Sequence, residues 1–430
     1  MPAETSLPEE SPLSRRSFLH SSLIALGVKA SATSAVNAAA GDPVAESRHR
    51  QNLAIPPGSD LGSLYPFIQK QAISGEFPLS YLNPKFGSAR TWRRLARTKV
   101  LELLHYSPAS CSPRAEQLER VDCGDYFRET IQFNTTPDLR VPASVLVPKN
   151  LTGRAPAIVA LHDHGGFYLW GREKILEMPQ EHPVLSEFKR QYYAGKSIAT
   201  ELVRQGYVVI VIDMFYWGER RLLLAEDAAD WRERPLSISK ERIQAFNARA
   251  SQSEQLIGRS IYSAGFTWPG VMFWDDIRTV DYLLTRPDVD PKRIGCVGLS
   301  VGGLRACHLT ALDERVKAGV IVGWMASFRR QLQKHVRNTI GHTKVVPGLY
   351  RYLDYPDVAA LAMPRPILVI NGSRDGLFEL NGVHESFDKL NACYKKAGDS
   401  DHCRTLLYDT PHEFNLEMQQ EAWGFLRKWV

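Results

Sequence analysis

The sequence predicts an α/β chain: a mostly parallel, doubly wound sheet with helices on both faces. Three observations carry this. First, Ala157-Ile-Val-Ala-Leu161 is a continuous apolar run and Tyr207-Val-Val-Ile-Val-Ile-Asp213 a second, apolar up to its final Asp213, the pattern of strands buried on both faces. Second, segments of helical spacing alternate with such runs. Third, Arg293-Ile-Gly-Cys-Val-Gly-Leu-Ser-Val-Gly-Gly303 reads as a short buried strand, a sharp turn and the start of a helix.

The chain of 430 residues is 44% hydrophobic and 23% charged, so it can bury a large core. Its net charge of +6 is spread out, with no Lys/Arg run beyond pairs such as Arg93-Arg94. Nucleic acid is therefore not an indicated partner. Residues 1–40 read as an export address. Ser14-Arg15-Arg16-Ser17-Phe18-Leu19 matches the twin-arginine pattern; Leu23 to Val28 is a modest apolar stretch, and Ala38-Ala39-Ala40 ends a small-residue cleavage region. This predicts a periplasmic or secreted enzyme, carried by the twin-arginine export machinery and without a membrane anchor in its mature form.

Residues 41–125 form a leader and a helical N-terminal extension, with Trp92, Leu95, Ala96, Val100, Leu103 and Leu104 on one helical face. The catalytic domain spans 126–430. Phe127 to Phe133 and Val141 to Val147 read as an antiparallel edge before the parallel core. Ser197 to Gln205 is a helix stopped by Gly206, and Phe273, Ile277, Val280, Leu283 and Leu284 mark another that ends near Pro287. Further strands are expected at Ala318 to Val322, Pro366 to Ile370 and Arg404 to Tyr408. Glu417 to Val430 is the last helix, with Ala422, Leu426 and Trp429 inward. Two insertions, about 166–196 and 220–273, the second partly helical over Ser239 to Ala250, fall above strand C-termini and read as cap elements.

The strand–turn–helix around Gly298-Leu-Ser-Val-Gly302 is a nucleophile elbow. Ser300 must sit on a strained turn that lifts its hydroxyl off the sheet, and Gly298 and Gly302 leave room for the neighbouring strand and helix. A serine hydroxyl needs a base, and the base needs an acid to fix its tautomer. In an elbow fold these follow as acid, then histidine, each at a strand end. Asp375, after the strand Pro366 to Ile370, and His412, after the last strand, satisfy that order; Asp409 is the runner-up acid. The separations of 75 and 37 residues each leave room for a strand–helix unit. Oxyanion donors are expected from the Val301 N–H and from the loop His162-Asp163-His164-Gly165-Gly166, with the His164 N–H favoured. No ligand spacing indicates a metal, and no cofactor is called for.

On these residues the chain from about 126 onward resembles the α/β-hydrolase superfamily, and within it the dienelactone-hydrolase and acetyl-xylan-esterase-like branch. The matching pieces are Leu161-His-Asp-His-Gly-Gly166, Asp213-Met-Phe-Tyr-Trp-Gly-Glu-Arg220, Gly298-Leu-Ser-Val-Gly-Gly303, Asn371-Gly-Ser-Arg-Asp375 and Pro411-His412. The resemblance implies an α/β-hydrolase fold, a Ser300–His412–Asp375 triad and ester hydrolysis through an acyl-enzyme. The chain departs from it in three places. Dienelactone hydrolases proper use cysteine where Ser300 stands, and many relatives have glycine at Asp163. Val301 replaces the arginine of glucuronoyl esterases and the glutamine of cephalosporin-type acetyl esterases.

Tyr168, Trp217 and Trp268, with other aromatics of the strand-end loops, are expected either to stack on a sugar or acyl group or to pack the cap. Glu219 and Arg220 are expected to form a structural ion pair. Cys111 with Cys123, and Cys393 with Cys403, could bridge local loops, whereas Cys296 and Cys307 read as buried thiols. The leading expectation is a secreted serine esterase acting on a small-molecule or carbohydrate ester. A peptidase of the prolyl-oligopeptidase kind and a non-catalytic binding protein on the same scaffold are the alternatives.

Overall fold

Apolar residues that run unbroken along a strand demand cover on both faces, and here they get it. The computed structural model describes residues 57–430, which lie within one compact unit; the expected export signal and the start of the leader lie outside the described residues. The principal elements in chain order are α1 (Ala89–Leu103), β1 (Glu116–Asp122), β2 (Tyr126–Thr136), β3 (Leu139–Pro148), β4 (Ala155–Leu161), α2 (Pro183–Tyr193), α3 (Ile198–Arg204), β5 (Val208–Ile212), α4 (Lys240–Ser263) and α5 (Trp268–Thr285). They continue with β6 (Val289–Leu299), α6 (Val301–Leu312), β7 (Val316–Val322), α7 (Tyr355–Ala360), β8 (Ile367–Gly372), α8 (Leu380–Ala397), β9 (Cys403–Tyr408) and α9 (Leu416–Trp429).

The nine strands make one sheet in the order β1-β2-β3-β5-β4-β6-β7-β8-β9. Strands β4 to β9 pair in parallel, and β1, β2 and β3 add an antiparallel edge against β5. This is the α/β-hydrolase arrangement that the sequence predicts. All of β5 and nearly all of β4 are buried. The chain runs from β4 outward to β5 and then back to β6 on β4's other side, and in open α/β sheets the ligand crevice lies outside the strand C-termini at such a switch point, here between β4 and β6. The pairing of Leu161 with Gly298 sets the loop after β4 beside the elbow after β6.

The N-terminal extension packs on this body through the buried stripe Trp92, Ala96, Val100 and Leu103 of α1. Leu95, expected on that face, is 46% exposed, because it lies at the margin of the stripe. Leu284 of α5 and, in part, Trp429 of α9 also face outward; the Trp429 ring packs edge-on against His402. The second insertion carries the 24-residue helix α4, capped by the Ser239 side chain and running a further 13 residues beyond the expected end at Ala250. Strand β1 has no counterpart among the expected elements. Among the described residues no helix is long and apolar enough to cross a membrane.

Candidate active site

Ser300 stands between β6 and α6 at φ 61°, ψ −122°, a backbone conformation that costs a non-glycine residue about 1–3 kcal/mol. The surroundings hold it there. Its N–H donates to the Val322 carbonyl at 2.8 Å, and its carbonyl accepts from Leu304 at 2.9 Å. A β-carbon on Gly298 would overlap the Gly302 backbone, one on Gly302 the Leu161 carbonyl oxygen, and one on Gly303 the Val322 carbonyl. Close approach of β4, β6, β7 and α6 thus dictates the glycines. The Ser300 side chain does not cap α6, so its hydroxyl is not committed to the helix.

Asp375 and His412 meet on loops after β8 and β9. His412 Nδ1 lies 2.5 Å from Asp375 Oδ2, and Asp375 Oδ1 accepts the Leu377 N–H at 3.0 Å. One carboxylate oxygen is therefore anchored to backbone and the other faces the imidazole. The Ser373 N–H donates to the Tyr408 carbonyl at 2.7 Å, and Gly372 lets the Thr410 and Pro411 carbonyls pass where a side chain would not. The imidazole rests against Gly323, where a β-carbon would come within 3.0 Å of its Cε1. Gly323 follows the Val322 carbonyl that holds Ser300, so the elbow and the imidazole both abut the C-terminal end of β7. No hydrogen bond joins the Ser300 hydroxyl to His412 among the described residues; contacts of this kind often tighten only with substrate bound. Asp409, the alternative acid, is exposed and pairs with Arg374 at 2.8 Å.

Both expected oxyanion donors border the crevice: Val301 opens α6, and His164 follows β4. The His164 ring is fixed on both sides. Nδ1 accepts the Gly166 N–H at 3.0 Å, so Nε2 carries the proton and donates to Glu254 Oε1 of α4 at 2.8 Å. The Tyr168 hydroxyl donates to the same oxygen at 2.8 Å, and the Trp217 indole N–H donates to the His164 carbonyl at 3.2 Å. Burial, with the Lys344 charge, holds the His164 imidazole below its ordinary pKa against the pull of Glu254. Burial alone would raise the Glu254 carboxyl, but its hydrogen bond with His164 and the Lys344 charge outweigh that and lower it.

The rest of the loop is tied down from beneath. Asp163 Oδ1 accepts the Tyr193 hydroxyl at 2.6 Å, and Oδ2 lies 3.3 Å from Lys174 Nζ, with both side chains of this pair buried. His162 bridges the Asp163 carbonyl (2.9 Å) and the Met214 N–H (3.0 Å), and burial holds it neutral. Buried Asp213 takes the Arg172 guanidinium at 2.7 Å and the Glu219 N–H at 3.0 Å. It fits because Gly171 and Gly218 leave it space.

Three expectations are corrected here. Tyr168, Trp217 and Trp268 are fully buried, 0% exposed, so they offer no face to a sugar; Tyr168 and Trp217 instead brace the His164 loop. Glu219 and Arg220 do not pair with each other: Glu219 reaches Arg172, and Arg220 reaches Asp275 at 2.8 Å. All six cysteines are free thiols. Cys393 is buried in α8, and burial raises the pKa of Cys403, at the head of β9, to about 12. Cys111 and Cys123 lie on either side of β1. Sequence reasoning missed Glu254, Lys174 and the buried bidentate pair Arg305–Asp276 behind the elbow. The two histidines flanking Asp163 were the available hint that this loop needs partners.

A strained serine after a central strand of a mostly parallel sheet, with an imidazole–carboxylate pair on the two strands beyond, defines a chain of the α/β-hydrolase fold. Residues 192–396 match the model of the Dienelactone hydrolase family, a span that contains Ser300 and Asp375. The chain is 28% identical over 334 residues to YtaP, a candidate hydrolase of Bacillus subtilis (strain 168); the match covers 78% of this chain and 98% of that protein. Among solved structures, a candidate acetyl xylan esterase of Bacteroides fragilis superposes with a TM-score of 0.63 at 19% identity, over 84% of this chain and 86% of the other. A glucuronoyl esterase of Solibacter usitatus gives 0.56 at 16%, over 83% and 99%, and one of Teredinibacter turnerae gives 0.55 at 17%, over 89% and 99%. At these identities the structural likeness speaks for the fold.

Proposed function

We propose that this chain is an exported serine carboxylic ester hydrolase that works through an acyl-enzyme and removes small acyl groups from a polysaccharide. The observation that carries the reading is the 2.5 Å His412–Asp375 link on loops adjoining a strained serine whose hydroxyl is left uncommitted by its helix. In this reading Ser300 Oγ attacks the ester carbonyl while His412 Nε2 takes its proton. Asp375 keeps the imidazole in the Nδ1–H tautomer and stabilises the imidazolium. The Val301 and His164 N–H groups receive the developing oxyanion, each worth roughly 10²–10³ in rate. The imidazolium returns the proton to the leaving alcohol, and water activated by the same histidine then releases the acid and restores Ser300.

The saccharide part of the proposal is supported by the twin-arginine pattern of residues 14–19 and by the names of the fold's neighbours, acetyl xylan and glucuronoyl esterases. Tyr168, Trp217 and Trp268, being buried, lend it no support. The test uses a fluorophosphonate probe with p-nitrophenyl acetate and the matching anilide. Labelling that disappears in Ser300→Ala, with turnover of the ester and not the amide, is expected. An unlabelled wild-type protein would point to a binding role, and amide cleavage to a peptidase.

A further inference from the structure

Helix α1 carries Arg90, Arg93, Arg94 and Arg97, spaced i, i+3, i+4, i+7 and so on one stripe. The stripe lines a groove on the surface that is open to solvent along one side, with Glu314 of the α6–β7 turn at its margin. Four guanidiniums share the groove with one carboxylate, Glu314, which pairs with Arg97 alone. Two of them have structural partners: Arg97 donates to the Ala311 carbonyl at 3.1 Å and to Glu314 at 2.7 Å, and Arg93 donates to the Met363 carbonyl. Arg90 and Arg94 make no side-chain hydrogen bond or ion pair among the described residues, and both are exposed. Arg365 stands behind, bonded to the Asp313 and Val316 carbonyls at 2.7 Å.

The stripe carries its own electrostatic cost. Like charges three and four residues apart on a helix repel by about 0.2–0.5 kcal/mol a pair. Beneath the stripe, Arg93 Nε, Arg97 Nη2 and Arg365 Nη2 are moreover buried with no hydrogen-bond partner among the described residues, so the positive charge here is incompletely paired within the chain. Guanidinium forks match the paired oxygens of phosphate, sulfate and carboxylate. We propose that this groove is a binding site for a multiply charged oxyanion. The site is separate from the ester chemistry: β7 rises from this end of the sheet to the elbow over the residues Val316–Val322, about 20 Å at the rise of a strand. The same chemistry has two sources, a free anion or an anionic group carried on a saccharide chain.

The experiment is calorimetric titration and thermal melting of the full chain with sodium phosphate, sodium sulfate and oligogalacturonate, each against sodium chloride at equal ionic strength. Saturable binding and a concentration-dependent rise in Tm are expected. Tightest binding of phosphate or sulfate would assign a free anion, and tightest binding of the oligosaccharide an anionic glycan. The variant Arg90→Ala/Arg94→Ala, which removes no structural contact, should weaken binding at least tenfold and leave turnover of p-nitrophenyl acetate unchanged. Responses no larger than those to chloride, or undiminished affinity in the double variant, would overturn the proposal.

Discussion

His164 and Glu254 tie the loop after β4 to the inserted helix α4: the imidazole Nε2–H donates at 2.8 Å to the carboxylate. The same oxygen takes the Tyr168 hydroxyl. The backbone N–H expected to meet the oxyanion therefore hangs from a loop whose side chain is fastened to the cap. Glu254→Ala should lower kcat about ten- to hundredfold, the scale of a small misplacement of a catalytic group, with KM little changed. Glu254→Gln, which keeps an acceptor for both donors, should recover most of it. Wild-type kcat in the alanine variant would show that the cap does not set this loop.

Asp375→Asn keeps the shape of the acid and its anchor to Leu377 but favours the wrong imidazole tautomer. A loss of about 10⁴ in kcat is expected, with a melting temperature close to wild type. Activity near wild type would move the acid elsewhere.

The buried Lys174–Asp163 pair should behave as buried pairs do when halved. Lys174→Met leaves a carboxylate in the interior with only Tyr193 facing it, and a loss of about 3–5 kcal/mol in urea unfolding is expected. Adding Asp163→Asn to that variant should return part of the loss, since it removes the stranded charge. Strictly additive effects would argue against the pairing.

His308 of α6 stacks on Phe273 with ring centroids 4.0 Å apart. Its Nδ1–H donates to the Leu304 carbonyl at 2.9 Å, while Nε2 is buried without a partner. Burial pushes its pKa down from 6.5 to about 4. The folded chain thus refuses a proton that the unfolded chain accepts. The sign follows: this contribution to stability is complete above pH 6.5 and is lost as the pH falls toward 4, about 3 kcal/mol in all. His308→Phe, which keeps a ring against Phe273, should shift the acid-unfolding midpoint to lower pH. An unchanged midpoint would mean that other groups govern acid unfolding.

Much of this molecule could be read from order along the chain. The apolar runs of β4 and β5 and the glycines around Ser300 announce close packing before any coordinate is known, and the strand-end rule leads to Asp375 and His412. What could not be read was pairing at long range. Lys174 with Asp163, Arg305 with Asp276 and Glu254 with His164 are charged or polar residues that look like solvated surface until the fold brings them together. The aromatic residues misled for a related reason: Tyr168 and Trp217 do lie on loops above the sheet, but α4 covers them. Strand β1 gave no signal because Glu116–Asp122 is exposed almost throughout, with neither an apolar run nor an alternation to mark it.

That same strand has a use at the margin of the sheet. An open sheet ends in unpaired N–H and C=O groups, which can recruit a strand from another molecule. Here the outermost strand presents Glu116, Glu119, Arg120 and Asp122, all exposed, and its register slips between Gln117 and Glu119. Charges discourage a stranger from docking, and the slip spoils the regular ladder that it would need. By giving up any share in the core, the segment acts as a guard against aggregation, and replacing its charges with valine or threonine would trade that protection for stickiness.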